Sequence, residues 1–173
     1  SSLKALPVDI LCPCARHDSV TAVNAPLIQA WALVPGANNP VTPEAEEILQ
    51  SRGAICLPDF VTNSGGVLGG TMAFAGIRSD VISRFILDSF PSVYTDLFLG
   101  SEKEGISIRE YAARLSLERH RRVKSASERK GAAGRILEAG LSCYRAGLIP
   151  QSLMGRISLP YFRKLAVFKG YQA

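Results

Sequence analysis

Val34-Pro35-Gly36-Ala37-Asn38-Asn39-Pro40-Val41-Thr42-Pro43-Glu44-Ala45-Glu46-Glu47-Ile48-Leu49 is the stretch whose reading decides the fold of this chain. It reads as the end of a buried strand, a polar asparagine loop and a marked helix start. Thr42 fits the N-cap and Pro43 the first helical position, where a missing N–H costs nothing. Glu44, Glu46 and Glu47 fall in the first turns, where the helix dipole favours negative charge. Arg52 and Gly53 then read as a last-turn cation and a left-handed stop. The loop therefore sits at the carboxyl end of a strand, where open α/β sheets bind ligands.

Working outward, Val8–Cys12, Ala32–Val34 and Ala54–Leu57 are short apolar runs. Continuous runs of this kind suit strands covered on both faces, as in a parallel sheet. Helical segments at about Ala22–Ala30 and Pro43–Arg52 separate them, and a βαβαβ alternation implies parallel strands with right-handed crossovers. Pro58, Asn63, Gly65 and Gly66 break the pattern before a run of small residues from Val67 to Gly76. From Ser79 onward the pattern is helical. Val81, Ile82, Phe85, Ile86, Ser89 and Phe90 mark one apolar face, and Val93, Tyr94, Leu97 and Phe98 continue it. Pro91 is expected to kink or restart that helix. Gly100–Gly105 reads as a loop, and Ser107 with Glu110 as a capping box. A helix from Ile108 to about Arg129 has Ile108, Tyr111, Ala112, Leu115 and Val123 available for burial. Arg135–Arg145 reads as another helix, with Ile136, Leu137, Leu141 and Tyr144 on one side. Pro150 and Pro160 punctuate the remaining residues, and Leu165–Phe168 reads as either a strand or a helix end.

The 173 residues, 47% hydrophobic and 20% charged, describe an ordinary globular chain that is long enough to bury about 70% of its unfolded surface. No apolar run reaches the ~18 residues of a membrane span, and the start Ser1-Ser2-Leu3-Lys4 lacks the regions of a signal peptide. Four cysteines are few for this length. Cys12 and Cys56 lie in apolar runs, where a free thiol packs as a small hydrophobe. Cys12 and Cys14 form a lone Cys-x-Cys with no second pair or histidine cluster, so no metal site is expected. A reducing, cytoplasmic setting is the simpler reading. The net charge of +5 lies wholly in residues 131–173, where Arg135, Arg145, Arg156, Arg163, Lys164 and Lys169 face Glu138 alone. Such an excess serves either nucleic acid or an acidic surface on one hand, or a solvated helical face or an acidic neighbouring subunit on the other. The cluster Arg119, His120, Arg121, Arg122 and Lys124 reads as a wet helix face.

Asn38 and Asn63 each stand just past a strand in a glycine-bordered loop. A carboxamide is an uncharged donor and acceptor suited to an amide or a sugar hydroxyl; the alternative is that each asparagine serves its own turn. Gly65, Gly66, Val67 and Gly70 open the segment after the third strand, where glycines permit close backbone approach to a ligand or a neighbour. Cys14 and Ala15 end the first strand and serve either packing or close approach. His17 has no acid or nucleophile that can be named beside it and reads as a surface loop residue.

GANNPVTPEAEEIL resembles the cofactor domain of the glutamate/leucine/phenylalanine/valine dehydrogenases. Three further segments agree with that family in order and spacing: Val8-Asp9-Ile10-Leu11-Cys12-Pro13-Cys14-Ala15, Leu57-Pro58-Asp59-Phe60-Val61-Thr62-Asn63-Ser64-Gly65-Gly66-Val67, and Ser107-Ile108-Arg109-Glu110-Tyr111-Ala112-Ala113-Arg114-Leu115-Ser116-Leu117-Glu118-Arg119. The resemblance spans roughly residues 7 to 130. It implies the second half of a doubly wound, Rossmann-type parallel sheet with three short strands, followed by a helical C-terminal region. The expected organisation is 1–76 as the half-sheet of an NAD(P)-binding domain, 77–130 as closing helices and 131–173 as a basic tail. The resemblance places Cys14, Ala15, Asn38 and Asn63 at an NAD or NADP cofactor and Asn63, Val67 and Gly70 at an amino-acid substrate. Relatives that use glutamate carry a serine at the place of Gly70, which has no side chain to do the same work.

No Gly-x-Gly-x-x-Gly turn follows a strand, and no Walker-type lysine motif is present. In the resembled family the phosphate-binding turn, the substrate domain and the catalytic lysines and aspartate precede the segment that begins here. The chain is therefore expected to be a C-terminal portion of an oxidative deaminase of L-amino acids, contributing the nicotinamide side of the cleft, holding no catalytic residue and inactive alone. Its first strand is expected to be covered by a second copy, by the 131–173 tail or by a separate N-terminal part. The competing reading is a non-catalytic binding or assembly module whose basic tail contacts nucleic acid or an acidic partner.

Overall fold

The computed structural model describes residues 2–128 and 132–166. The chain divides into two compact units, one of Ser1–Gly66 with Ser107–Ala112 and one of Val67–Ile106 with Ala113–Ala173.

The first unit is α/β. Its strands are β1 (Ile10–Leu11), β2 (Ala32–Leu33) and β3 (Ile55–Cys56). They form one parallel sheet in the order β1-β2-β3, with Ile10 opposite Ala32 and Ala32 opposite Ile55. Backbone bonds from Val34 to Leu11 (3.0 Å) and from Leu57 to Leu33 (3.0 Å) carry the pairing past the strand ends. Helix α1 (Pro43–Ser51) starts where the sequence marks it: the Thr42 hydroxyl accepts from the Ala45 N–H, and Pro43 opens the first turn. Gly53 stops it at φ 82°, a left-handed value that suits a residue without a Cβ. Arg52 turns back to the carbonyls of Ala25 and Pro26. Ala45 and Leu49 share one face of α1 and pack with Val20, Ile28, Leu33 and Cys56 into one buried cluster. The short helix α2 (Asp59–Thr62) follows β3, and α3 (Ser64–Phe74) follows it.

Two sequence expectations fail in this unit. Ala22–Ala30 is not an α-helix; only Ala25–Leu27 closes a 3-10 turn, and the chain leaves it extended at Ile28. The Asn24 side chain explains this by binding the Thr21 N–H and the Ser19 carbonyl, an arrangement that competes with helical bonding. Cys12 is exposed and lies beyond β1, so it does not pack as a hydrophobe.

The second unit is helical. Helix α4 (Ser79–Glu104) runs unbroken through Pro91, so Pro91 does not restart it. The expected loop at 100–105 is instead the last turn of α4, ended by Gly105 at φ 65°. Helix α5 (Ile108–Glu128) begins in the first unit, where the Ser107 hydroxyl caps the Glu110 N–H at 3.1 Å. Val123, expected to be available for burial, is 54% exposed. Helices α6 (Ala132–Arg145) and α7 (Gln151–Ala166) complete the unit. Met72, Ala75, Ile77, Ile82, Phe85 and Phe162 form its core. Tyr144 donates to the Phe74 carbonyl at 2.7 Å, and their rings meet edge to face. Leu165 falls in α7, while Val167 and Phe168 lie outside the described residues. No helix among the described residues is long and apolar enough to cross a membrane.

Candidate functional site

The carboxyl ends of the three strands gather most of the residues singled out in the sequence. Beyond β1, Cys14 and Ala15 are exposed; beyond β2, the Gly36 and Ala37 N–H groups both bind the Pro13 carbonyl, at 3.2 and 3.1 Å. These bonds draw the two loops so close that a Cβ on Gly36 would stand 2.5 Å from the Cys14 Sγ. A side chain at position 36 would therefore oblige the exposed Cys14 side chain to move.

Asn38 and Asn63 meet directly. The Asn63 Nδ2 donates to the Asn38 Oδ1 at 2.6 Å and to the Ala37 carbonyl at 3.3 Å. Asn63 is the C-cap of α2, and the Thr62 hydroxyl beside it binds the Pro35 carbonyl. Among the described residues, the Asn38 Nδ2 and the Asn63 Oδ1 have no hydrogen-bond partner. One donor group and one acceptor group thus remain on the joined pair, with no net charge. A primary carboxamide presents the complementary acceptor and donor, so this corner fits that group better than it fits an ion.

An ionic network lies behind the corner. Arg109, from the first turn of α5, binds Glu46 of α1 at 2.7 Å and Asp59 of α2 at 3.1 Å. The second oxygen of Asp59 accepts from the Asn39 N–H at 2.9 Å. Asn39 is held at φ 47°, a left-handed value uncommon outside glycine. Burial raises the proton affinity of Asp59, but the Asn39 N–H and the Arg109 guanidinium outweigh it and hold the carboxyl below its usual value. Burial also works against the charge of Arg109, and the two carboxylates overcome that effect, so its proton is held more tightly than usual. Burial, and then Glu46, push the Cys56 thiol up to about 12 against the pull of Arg109.

Val67 and Gly70 lie one turn apart on α3; both are exposed, and a Cβ on Gly70 would meet nothing within 4 Å. His17 is exposed. No group of three or more His, Cys, Asp or Glu placed to hold a metal occurs among the described residues. Sequence reading missed the network: Arg109 was one arginine among many, and only the fold brings residues 46, 59 and 109 together.

The family model described as Glutamate/Leucine/Phenylalanine/Valine dehydrogenase matches residues 1–131. Over 138 residues the chain is 35% identical to the glutamate dehydrogenase of Thermotoga maritima, a match covering 75% of this chain and 32% of that protein. It is 34% identical over 96 residues to the NADP-specific glutamate dehydrogenase of Saccharolobus shibatae, covering 52% of this chain and 23% of that protein. The crystal structure of the hetero-hexameric glutamate dehydrogenase of Thermus thermophilus, in its leucine-bound form, superposes with TM-score 0.64 at 25% identity. That superposition covers 76% of this chain and 32% of the other. The L-tryptophan dehydrogenase of Nostoc punctiforme, at TM-score 0.62 and 23% identity over 69% of this chain and 36% of that one, shows the shared fold alone. The chain spans about a third or less of the length of the curated relatives it matches. The three parallel strands thus correspond to part of a Rossmann-type domain.

Proposed function

Because the chain belongs to the glutamate/leucine/phenylalanine/valine dehydrogenase family, we propose that it supplies the nicotinamide side of the cofactor cleft of an NAD- or NADP-dependent L-amino-acid dehydrogenase. The observation that carries this reading is the joined Asn38–Asn63 pair, whose free donor and acceptor match a carboxamide. Cys14 and Ala15, exposed beyond the end of β1, are assigned to the ribose side by the family resemblance alone. The family resemblance alone assigns Asn63, Val67 and Gly70 to the amino acid. A bound nicotinamide would supply the acceptor for the α-hydride of the amino acid, with water providing the oxygen of the 2-oxo acid as ammonia leaves. The chain's own part is to orient the carboxamide and so fix which face of the ring meets the substrate.

The base, the catalytic lysines and the phosphate-binding turn belong to the portion of the family that precedes this segment, so the chain alone is expected to give no turnover. β1 is the edge of its sheet and Ile10 is 49% exposed. We take that edge to be the place where a further strand joins, from an N-terminal part or another copy, because an uncovered apolar edge promotes association.

The test is a titration of the chain with nicotinamide mononucleotide and NAD, followed by NMR. The reading expects the carboxamide signals of Asn38 and Asn63 to move. Asn38→Ala or Asn63→Ala is expected to weaken binding about 2- to 10-fold, the worth of one neutral hydrogen bond. Shifts confined to other surfaces and unaltered by both substitutions would overturn it, and sustained deamination by the isolated chain would refute its inactivity.

A further inference from the structure

The paired asparagines sit on different stretches of chain. Asn38 lies in the loop leading to α1, and Asn63 caps the end of α2. Their contact therefore depends on how α1 and α2 are set against each other. Each helix carries one buried carboxylate, Glu46 on α1 and Asp59 on α2, and their side chains are only 9% and 8% exposed. Left to themselves these two anions would repel one another and resist burial.

One guanidinium answers both. Arg109 donates through Nε to Glu46 and through Nη1 to Asp59, and its charge lies 5.9 Å from the centre of the Phe60 ring. Glu46 is further held by the Gln50 amide at 3.2 Å. Asp59 spends its remaining oxygen on the Asn39 N–H. The chain of contacts runs from Arg109 through Asp59 to Asn39, the immediate neighbour of Asn38. The Asn39 that receives this contact has a left-handed φ of 47°, a conformation asparagine adopts more readily than most residues. A rigid fork with donors at two positions suits this task; a lysine ammonium is a single point that cannot span both carboxylates in the same way.

We infer that Arg109 is a positioning residue for the amide corner: it sets α1 against α2 and, through Asp59 and the Asn39 N–H, fixes the pose in which Asn38 and Asn63 meet. It touches neither asparagine side chain and has no part in binding of its own. The functional weight of this inference rests on the reading of that corner as the nicotinamide contact, but the positioning itself is a property of the free chain.

The test uses the full chain without ligand first. Arg109→Met is expected to speed amide exchange at Asn39 at least 10-fold. It is also expected to move the Asn63 carboxamide signals towards those of a free asparagine, while the amides of α7 keep their protection. Arg109→Lys is expected to fall between the two and Asp59→Asn to match Arg109→Met at Asn39, so the question stays answerable if Arg109→Met fails to fold. Folded variants with unchanged Asn39 exchange and unchanged Asn63 signals would overturn the inference. Nicotinamide mononucleotide is then titrated into the same variants, with about 10-fold weaker binding expected for Arg109→Met. If the corner loosens and the affinity stays the same, positioning stands and the nicotinamide reading falls.

Discussion

Placing an alanine at position 155 pits helix propensity against a close backbone contact. Within the helical unit, α7 crosses the turn that follows α3 at Gly76 and Gly155. A Cβ on Gly155 would stand 3.0 Å from the Gly76 carbonyl carbon and closer still to its oxygen. Gly76 has φ 79°, and a Cβ there would likewise meet the Gln151 carbonyl group. Backbone on both sides cannot rotate away. Two responses are open. If α7 stays seated, the overpacking costs roughly 1–3 kcal/mol. If α7 lifts, Phe162, only 8% exposed, leaves the cluster around Met72 and Phe85, which forfeits about 1.5–3 kcal/mol. Either way the loss centres on ~2 kcal/mol, offset by ~1 kcal/mol of helix propensity gained on replacing glycine. Gly155→Ala is thus expected to destabilise by about 1 kcal/mol, a fall in Tm of roughly 2–4 °C at this chain length. The internal control is Gly140→Ala in α6, where a Cβ would meet nothing within 4 Å. Free of contact, it is expected to raise Tm by about 2–4 °C. Calorimetry with amide exchange along α7 reads both effects. Should Gly155→Ala stabilise as much as Gly140→Ala, then α7 is not seated on that turn and residues 151–166 are better described as a loose basic tail.

Two further outcomes arise, one from the burial of β3 and one from the ion network. Cys56 is buried with its thiol pushed up to about 12, while Cys12, Cys14 and Cys143 are exposed; a disulfide reagent at pH 8 is expected to consume three thiols quickly and the fourth only on denaturation, and four equal rates would contradict the burial of β3. Asp59 is held below its ordinary value of 3.8, so its contribution is fully present above that pH and disappears as pH falls through the lower folded value. Denaturant midpoints are expected to be insensitive to Asp59 ionisation from pH 5 to 7 and to drop below pH 4, with Asp59→Asn showing a shallower acid slope; identical slopes in both proteins would remove the carboxylate from the account.

What the sequence made legible was local chemistry. The start of α1 at Pro43 and its stop at Gly53 are written in a hydroxyl, a proline and a glycine within a dozen residues, and each does in the fold what its type suggests. The three parallel strands were legible for the same reason, as short apolar runs between turn signals. Failures came where a neighbour outside the window decided the outcome. Asn24 turned a helix-like stretch into a 3-10 turn by binding Ser19 and Thr21. Gly100 read as a breaker but is buried in α4, and only Gly105 ends that helix. Arg109 offered no local sign of its work, because its partners are 63 and 50 residues away.

The arrangement of amides in front and ions behind reflects the cost of desolvation. A carboxamide ligand carries no net charge, so an ion at the contact surface would lose water on binding and gain only a neutral partner. On the proposed reading Asn38 and Asn63 would exchange water for ligand nearly one bond for one, at little cost. Their weakness is the opposite one: two neutral side chains on separate stretches of chain do not by themselves hold a fixed pose. In the inferred arrangement the paired charges of Glu46, Asp59 and Arg109 would supply that stiffness without being desolvated by the ligand. A corner built only of amides would bind loosely, and one built only of ions would select anions or cations instead. Affinity for a neutral amide with defined orientation therefore requires both layers, and that is why the loss of Arg109 is expected to register at Asn39 and Asn63 although it touches neither side chain.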